Sequence, residues 1–145
     1  MPKIYTSSVI EAPVQRVWDY VRDFNSLPKW FPGVIDSRIE SGMNSDQVGC
    51  VRDFGLDGGP RMREQLLALS DQGYSCTYRM LEGPLPVSNY LATMRLAPVT
   101  DGNHTFAEYV VEFDCPREQE SELKTFLSKT YQGAFEHLKQ HLGHS

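Results

Sequence analysis

For most of its length the chain alternates apolar and polar residues with the two-residue period of a half-buried strand, and near its end the period lengthens to about 3.6 residues. Lys3 to Glu11 reads as a first strand. Ala12-Pro13 stops it and opens a helix, because proline is tolerated in a first turn where its missing N–H has no partner to lose. Val14, Val17, Trp18 and Val21 mark that helix's buried face. A second short helix is predicted over Phe24 to Lys29, with Asn25 or Ser26 as its cap and Pro32-Gly33 as its stop. Six more strands follow: Val34 to Glu40, Val48 to Leu56, Met62 to Leu69, Tyr74 to Leu81, Val87 to Ala97 and His104 to Phe113. Turns such as Ser41-Gly42-Met43-Asn44, Ser70-Asp71-Gln72-Gly73 and Thr100-Asp101-Gly102-Asn103 join them. After Pro116, Leu123, Leu127, Thr130, Tyr131, Ala134, Leu138 and Leu142 share one face of a long helix, with Glu118 and Glu120 at its start and Lys139, His141 and His144 near its end, as the helix dipole favours.

Seven antiparallel strands leave one face to cover, and the terminal helix is the long amphipathic element able to cover it. The predicted class is therefore α+β: a seven-stranded antiparallel sheet curved around a long C-terminal helix, with two short helices between the first and second strands. No repeat, linker or low-complexity run interrupts the order, so residues 1–145 are expected to form one domain. Strand direction brings two loops, Leu56-Asp57-Gly58-Gly59-Pro60 and Glu82-Gly83-Pro84-Leu85-Pro86, to the same end of the sheet. A cavity between sheet and helix would have its mouth there.

Parity sorts the side chains. If Phe54 and Leu56 point inward, so do Cys50 and Arg52, while Val51 and Asp53 point out. The next strand splits into Glu64 and Leu66 on one face and Leu67 and Leu69 on the other. Tyr74, Cys76, Tyr78 and Met80 share a face, as do Tyr90, Ala92, Met94 and Leu96, and then Ala107, Tyr109, Val111 and Phe113. Several tyrosines, methionines and two ionisable groups are unusual in a closed core, where every buried polar atom needs a partner. They suit an adaptable wall around a bulky apolar ligand that carries a few oxygens.

Composition narrows the partners. A chain of 145 residues buries roughly two-thirds of its unfolded surface and still has room for an internal pocket. A net charge of -5 without any basic run argues against nucleic acid or an anionic membrane surface. Met1 to Ser8 alternates like a strand rather than forming the apolar core of a signal peptide, and no run reaches membrane-spanning length. A cytoplasmic location without membrane insertion is the expectation. Cys50, Cys76 and Cys115 are odd in number and widely spaced, which fits neither a disulfide framework nor a zinc knuckle. His137, His141 and His144 fall at i, i+4 and i+7, a spacing usually incidental on a solvated helix end, and His104 has no cysteine or carboxylate at useful spacing. No metal and no cofactor is expected. Nor is there a nucleophile elbow, a phosphate-binding glycine loop or a Cys-His pair, so covalent catalysis is not expected either.

Several short stretches carry a resemblance: Ile10-Glu11-Ala12-Pro13 with Val17-Trp18, Trp30 with Pro32, Val48 to Phe54, Glu64-Gln65-Leu66, Pro84-Leu85-Pro86 with Asn89-Tyr90, and the closing helix. In this order and over essentially the whole chain they resemble the START/Bet v 1-like superfamily, in its polyketide cyclase/dehydrase and lipid-transport (SRPBCC) branch. The resemblance implies a helix-grip fold with an internal cavity. Val48 to Tyr90 is also similar to plant abscisic-acid receptors of that superfamily, whose corresponding loops act as gate and latch. By that analogy Leu56 to Pro60 is a gate and Glu82 to Val87 a latch. The receptors' carboxylate-binding lysine falls on Asp36 here, and Gly58-Gly59-Pro60 replaces their gate sequence, so that hormone is not the implied ligand. Family pocket positions carry over onto Arg52, Leu56, Glu64, Tyr78, Met80, Tyr90, Phe126, Thr130 and Ala134.

Parity and the loops add Trp30, Phe54, Leu66, Pro84, Pro86 and Tyr109 to the candidate ligand-binding set. Arg52 and Glu64 either orient a polar ligand group or form a plain ion pair at the rim, with Asp36 joining them if its strand register allows. Tyr78, Tyr90 and Tyr109 either donate to a ligand carbonyl or simply line the wall. Trp30 either closes the mouth or packs its helix; Trp18 is core. Three functions follow. The first is a carrier, sensor or sequestering protein for a lipid, polyketide or similar hydrophobic metabolite. The second is a cyclase, aromatase or dehydratase using Glu64, Arg52 and a tyrosine as acid/base groups. The third is a protein partner bound through the loops at 56–60 and 82–87, with Leu85 and Pro86 exposed on its side.

Overall fold

The computed structural model describes residues 1–143 and contains, in order, β1 (Lys3–Ile10), α1 (Val14–Val21), α2 (Leu27–Trp30), β2 (Val34–Ile39), β3 (Val51–Leu56), β4 (Arg61–Ser70), β5 (Ser75–Glu82), β6 (Ser88–Val99), β7 (His104–Asp114) and α3 (Glu120–Leu142). All neighbours are antiparallel and lie in the order β1-β7-β6-β5-β4-β3-β2. The short helices therefore connect the two edge strands. With α3 packed against β1 and the sheet wrapped about it, this is a helix-grip α+β fold.

Turn chemistry fixes the connections. At the β4–β5 turn the Gly73 N–H donates to Ser70 Oγ at 2.9 Å. Asp71 in the same turn accepts from the Trp18 indole and from Arg22 Nε, each at 2.8 Å, and so anchors α1 to the sheet. Val17, Trp18 and Val21 are buried as their helical spacing requires.

Three features depart from simple alternation. Gly49 has φ +98°, a conformation costly for other residues, and it delays β3 to Val51, although Gly49 N still donates to Leu66 O at 2.8 Å. A bulge between Leu66 and Ala68 resets β4, so Leu69 pairs with Cys76 and packs on the core instead of sharing the outer face with Leu67. A second bulge, between Val34 and Asp36, leaves Asp36 outside, where its carboxylate accepts from Gly55 N at 3.1 Å and Arg61 at 3.0 Å. Asp36 therefore does not join Arg52 and Glu64. Phe24 lies ahead of α2 rather than inside it, and Ser26, at the cap position, makes no capping bond because its hydroxyl accepts from the Trp30 indole.

Candidate functional site

Beneath the middle of α3 the sheet and helix enclose a cavity of about 450 Å³. Phe54, Leu56 and Met62 of the β3–β4 hairpin form one wall, and Leu27, Phe31 and Val34 form another. Phe126, Leu127, Lys129, Thr130, Tyr131 and Gly133 present the helix to it. Both predicted loops reach its edge, through Leu56 and Asp57 on one side and Pro84 and Leu85 on the other.

The first loop is a tight hairpin end. Leu56 N donates to Pro60 O at 2.8 Å and Gly59 N to Leu56 O at 3.0 Å, while Gly58 and Gly59 occupy φ values of +92° and +110° that their neighbours require. Asp57 N donates to Gly33 O at 2.8 Å and ties this loop to the segment after α2. In the second loop Leu85 is half-buried and turned to the cavity, so it is not the exposed side chain expected; Pro86 is exposed.

Arg52 and Glu64 are directly opposed across β3 and β4 and only 4 % and 3 % exposed, so the pair is interior rather than at the rim. Arg52 Nε and Nη2 donate to one oxygen, Glu64 Oε1, at 3.0 and 2.6 Å. Nη1 donates to the Phe24 carbonyl at 3.2 Å. The guanidinium lies 3.9 Å from the Phe24 ring centroid and 4.6 Å from that of Tyr78. Burial opposes the Arg52 charge, but Glu64 and the neighbouring phenols outweigh it and raise the Arg52 pKa. For Glu64, burial prevails over the attraction of Arg52 and moves the carboxyl above the ordinary carboxylate range.

Above this pair lies a chain of phenols. Tyr78 donates to Tyr109 at 3.4 Å, Tyr78 and Tyr131 are bonded at 3.3 Å, and Tyr90 is hydrogen-bonded to Tyr131. Burial raises the pKa of all four, which keeps them neutral at physiological pH. They are hydrogen-bonding groups, not bases. Cys76, pushed up to about 11 by burial, is likewise a protonated thiol rather than a nucleophile.

Of the residues chosen from sequence, Arg52, Phe54, Leu56, Glu64, Tyr78, Pro84, Tyr90, Phe126 and Thr130 border the cavity. Six do not. Trp30 is buried with its indole on Ser26 Oγ at 3.1 Å, and Phe31 beside it takes the lining position. Leu66 and Ala134 are fully packed, Gly133 replacing the latter on the wall. A β-carbon at Gly83 would come within 2.9 Å of Met80 Sδ, showing how closely the second loop lies over Met80, which is outside the lining. Tyr109, which accepts from Tyr78, and the exposed Pro86 are also outside the lining. His137 Nε2 is 3.1 Å from the Lys29 carbonyl and its ring stacks with His141; His144 lies outside the described residues. No group of three metal-binding side chains occurs among the described residues.

Sequence reasoning placed Tyr131 on the buried helix face without linking it to the cavity, although it joins two of the sheet tyrosines. Leu27, Phe31, Met62 and Lys129 were missed as lining residues. Met62 alone had a signal: its position opposite Phe54 in the β3–β4 ladder puts it on the inner face.

Residues 1–143 match the family model for polyketide cyclase/dehydrase and lipid transport. Among solved structures, the protein XoxI from Bacillus cereus is 27 % identical, with 98 % of this chain and 96 % of that one covered and a TM-score of 0.89. A protein from Nitrosospira multiformis is 28 % identical over 97 % of this chain and 96 % of its own, with a TM-score of 0.84. One from Thermobifida fusca is 25 % identical, covering 99 % and 94 %, with a TM-score of 0.89. No helix among the described residues is long and apolar enough to cross a membrane.

Proposed function

The chain belongs to the polyketide cyclase/dehydrase and lipid transport family, and from that premise we propose that it binds a hydrophobic small molecule, a lipid, polyketide or similar metabolite, as a carrier, sensor or sequestering protein. The observation that carries this reading is the 450 Å³ cavity, which falls in the range typical of small-molecule sites. Its walls are mostly apolar and aromatic, with a few polar groups gathered at Arg52, Glu64 and the tyrosines. A core that needed only to pack would not retain that much space, because unfilled volume costs stability.

The test is a panel of apolar ligands screened by thermal shift and by native mass spectrometry of purified protein. At a ligand concentration one hundred times Kd, stabilisation of about 2.7 kcal/mol is expected. A panel that neither stabilises the protein nor gives a bound species overturns the reading.

Glu64 favours a second reading. A buried carboxyl with a raised pKa beside neutral phenols is an acid/base constellation suited to a cyclase or dehydratase. Unchanged turnover of a polyketide substrate by Glu64→Gln would remove that role.

A further inference from the structure

The polar end of the cavity has an asymmetry between donors and acceptors. Both Arg52 bonds to Glu64 fall on Oε1, and Glu64 Oε2 accepts none of the hydrogen bonds that reach this side chain, although Glu64 borders the cavity and is 3 % exposed. The phenol chain supplies a second acceptor by proton counting, since each hydroxyl has one proton to give. Tyr78 commits its proton to Tyr109. The Tyr78–Tyr131 bond then needs the proton of Tyr131, and the Tyr90–Tyr131 bond needs that of Tyr90. Tyr90 is the end of this chain that borders the cavity, and it is left with lone pairs to offer.

The donors at this end are partly committed. Arg52 has used three of its five N–H groups on Glu64 and Phe24. Thr130 has committed its hydroxyl to the Phe126 carbonyl at 2.8 Å. The buried cation at this end, Arg52, is already paired with Glu64, so a ligand carboxylate brought to Arg52 has the Glu64 carboxyl beside it.

Resting on the binding reading above, we propose that this cavity selects neutral apolar molecules ending in a hydroxyl, an alcohol or phenol that donates to Glu64 Oε2 or Tyr90, and discriminates against carboxylates such as fatty acids. A hydroxyl serves both needs, because it donates to the free acceptors and can accept from a remaining Arg52 N–H. An ether or ketone of the same shape strands a buried carboxylate oxygen without a donor. A carboxylate adds like-charge repulsion to that defect.

The test uses the unmodified protein and three ligands sharing one ring system: 2-naphthol, 2-methoxynaphthalene and 2-naphthoate. Affinities are measured by titration calorimetry at pH 7, where the phenol is neutral and the acid is charged. Naphthol is expected to bind about tenfold more tightly than the methyl ether, with naphthoate weaker still. Naphthoate or the ether binding as tightly as naphthol overturns the proposal while leaving the cavity-binding reading intact. Binding by none of the three, together with silence across the apolar panel, overturns both.

Discussion

Two halves of one sheet are built by the same alternation and end in different states. On the packed side, β1, β7 and β6 turn in Ile4, Ile10, Val111, Phe113, Met94 and Leu96, none more than 4 % exposed, with α3 lying against β1 and α1 against β6 and β7. On the other side β3, β4 and β5 turn in Arg52, Phe54, Glu64 and Tyr78, which face open volume. Parity settles which side chains point inward. Whether they meet a helix or a cavity depends on where that helix lies across a curved sheet. The sheet's apolar half closes the fold, and its polar half borders the cavity.

Truncation separates the halves most sharply. Phe135→Ala, in the packed half, is expected to cost about 3–5 kcal/mol by leaving an enclosed void, read from urea unfolding. Leu56→Ala, half-buried beside space that already exists, is expected to cost under about 1 kcal/mol. Equal losses would mean that the cavity region is as tightly packed as the rest, and the contrast would fall.

The ion pair gives the next effect. Arg52→Met strands the Glu64 carboxylate in a site 3 % exposed and is expected to cost about 3 kcal/mol, whereas Arg52→Met with Glu64→Leu recovers most of that loss. Such recovery marks the pair as retained for something other than stability. If the double variant is as unstable as the single one, the pair is structural, and the polar half of the sheet needs no ligand to explain it.

Much of this contrast was legible in the sequence, for identifiable reasons. Period-two alternation with short turns delivered seven strands, and the change of period after Pro116 delivered α3. Parity put Arg52 and Glu64 on the inner face of neighbouring strands, and the register of the β3–β4 ladder sets them directly opposite each other. What alternation cannot carry is a bulge, because one inserted residue flips every later side chain: for that reason Leu69 packs on the core rather than the expected outer face, and the direction of Asp36 stays open until its register is seen. Distances across the fold were equally hidden. Tyr131 looks like any buried helix residue until its hydroxyl meets those of Tyr78 and Tyr90, and the Phe24 carbonyl reaches Arg52 only because the chain turns between α1 and α2.

A smaller effect concerns pH. Burial raises the Glu64 pKa above its ordinary 4.5 in spite of Arg52. A carboxyl whose folded-state pKa is raised contributes stability that is complete below the unfolded value and lost as pH climbs through the folded one. Because glutamine mimics the neutral form, the stability of the wild type relative to Glu64→Gln, taken from paired Tm values, is expected to fall as pH rises from about 4. A difference that grows instead would mean that Arg52 holds the carboxylate ionised throughout.

Phe126 should give the smallest change in stability. It projects from α3 at the cavity's edge and is 53 % exposed, so the packed half of the molecule does not depend on it. Phe126→Ala is expected to shift unfolding by no more than about 0.5 kcal/mol, as for an ordinary surface site. If Phe126 belongs to the ligand's surroundings, the same change should weaken 2-naphthol binding several-fold, since a ring that packs against the ligand stabilises only the complex. The two measurements together decide the residue's role. Lost affinity with stability kept places Phe126 with the cavity; lost stability with affinity kept returns it to the core and moves the boundary between the two halves one turn along α3.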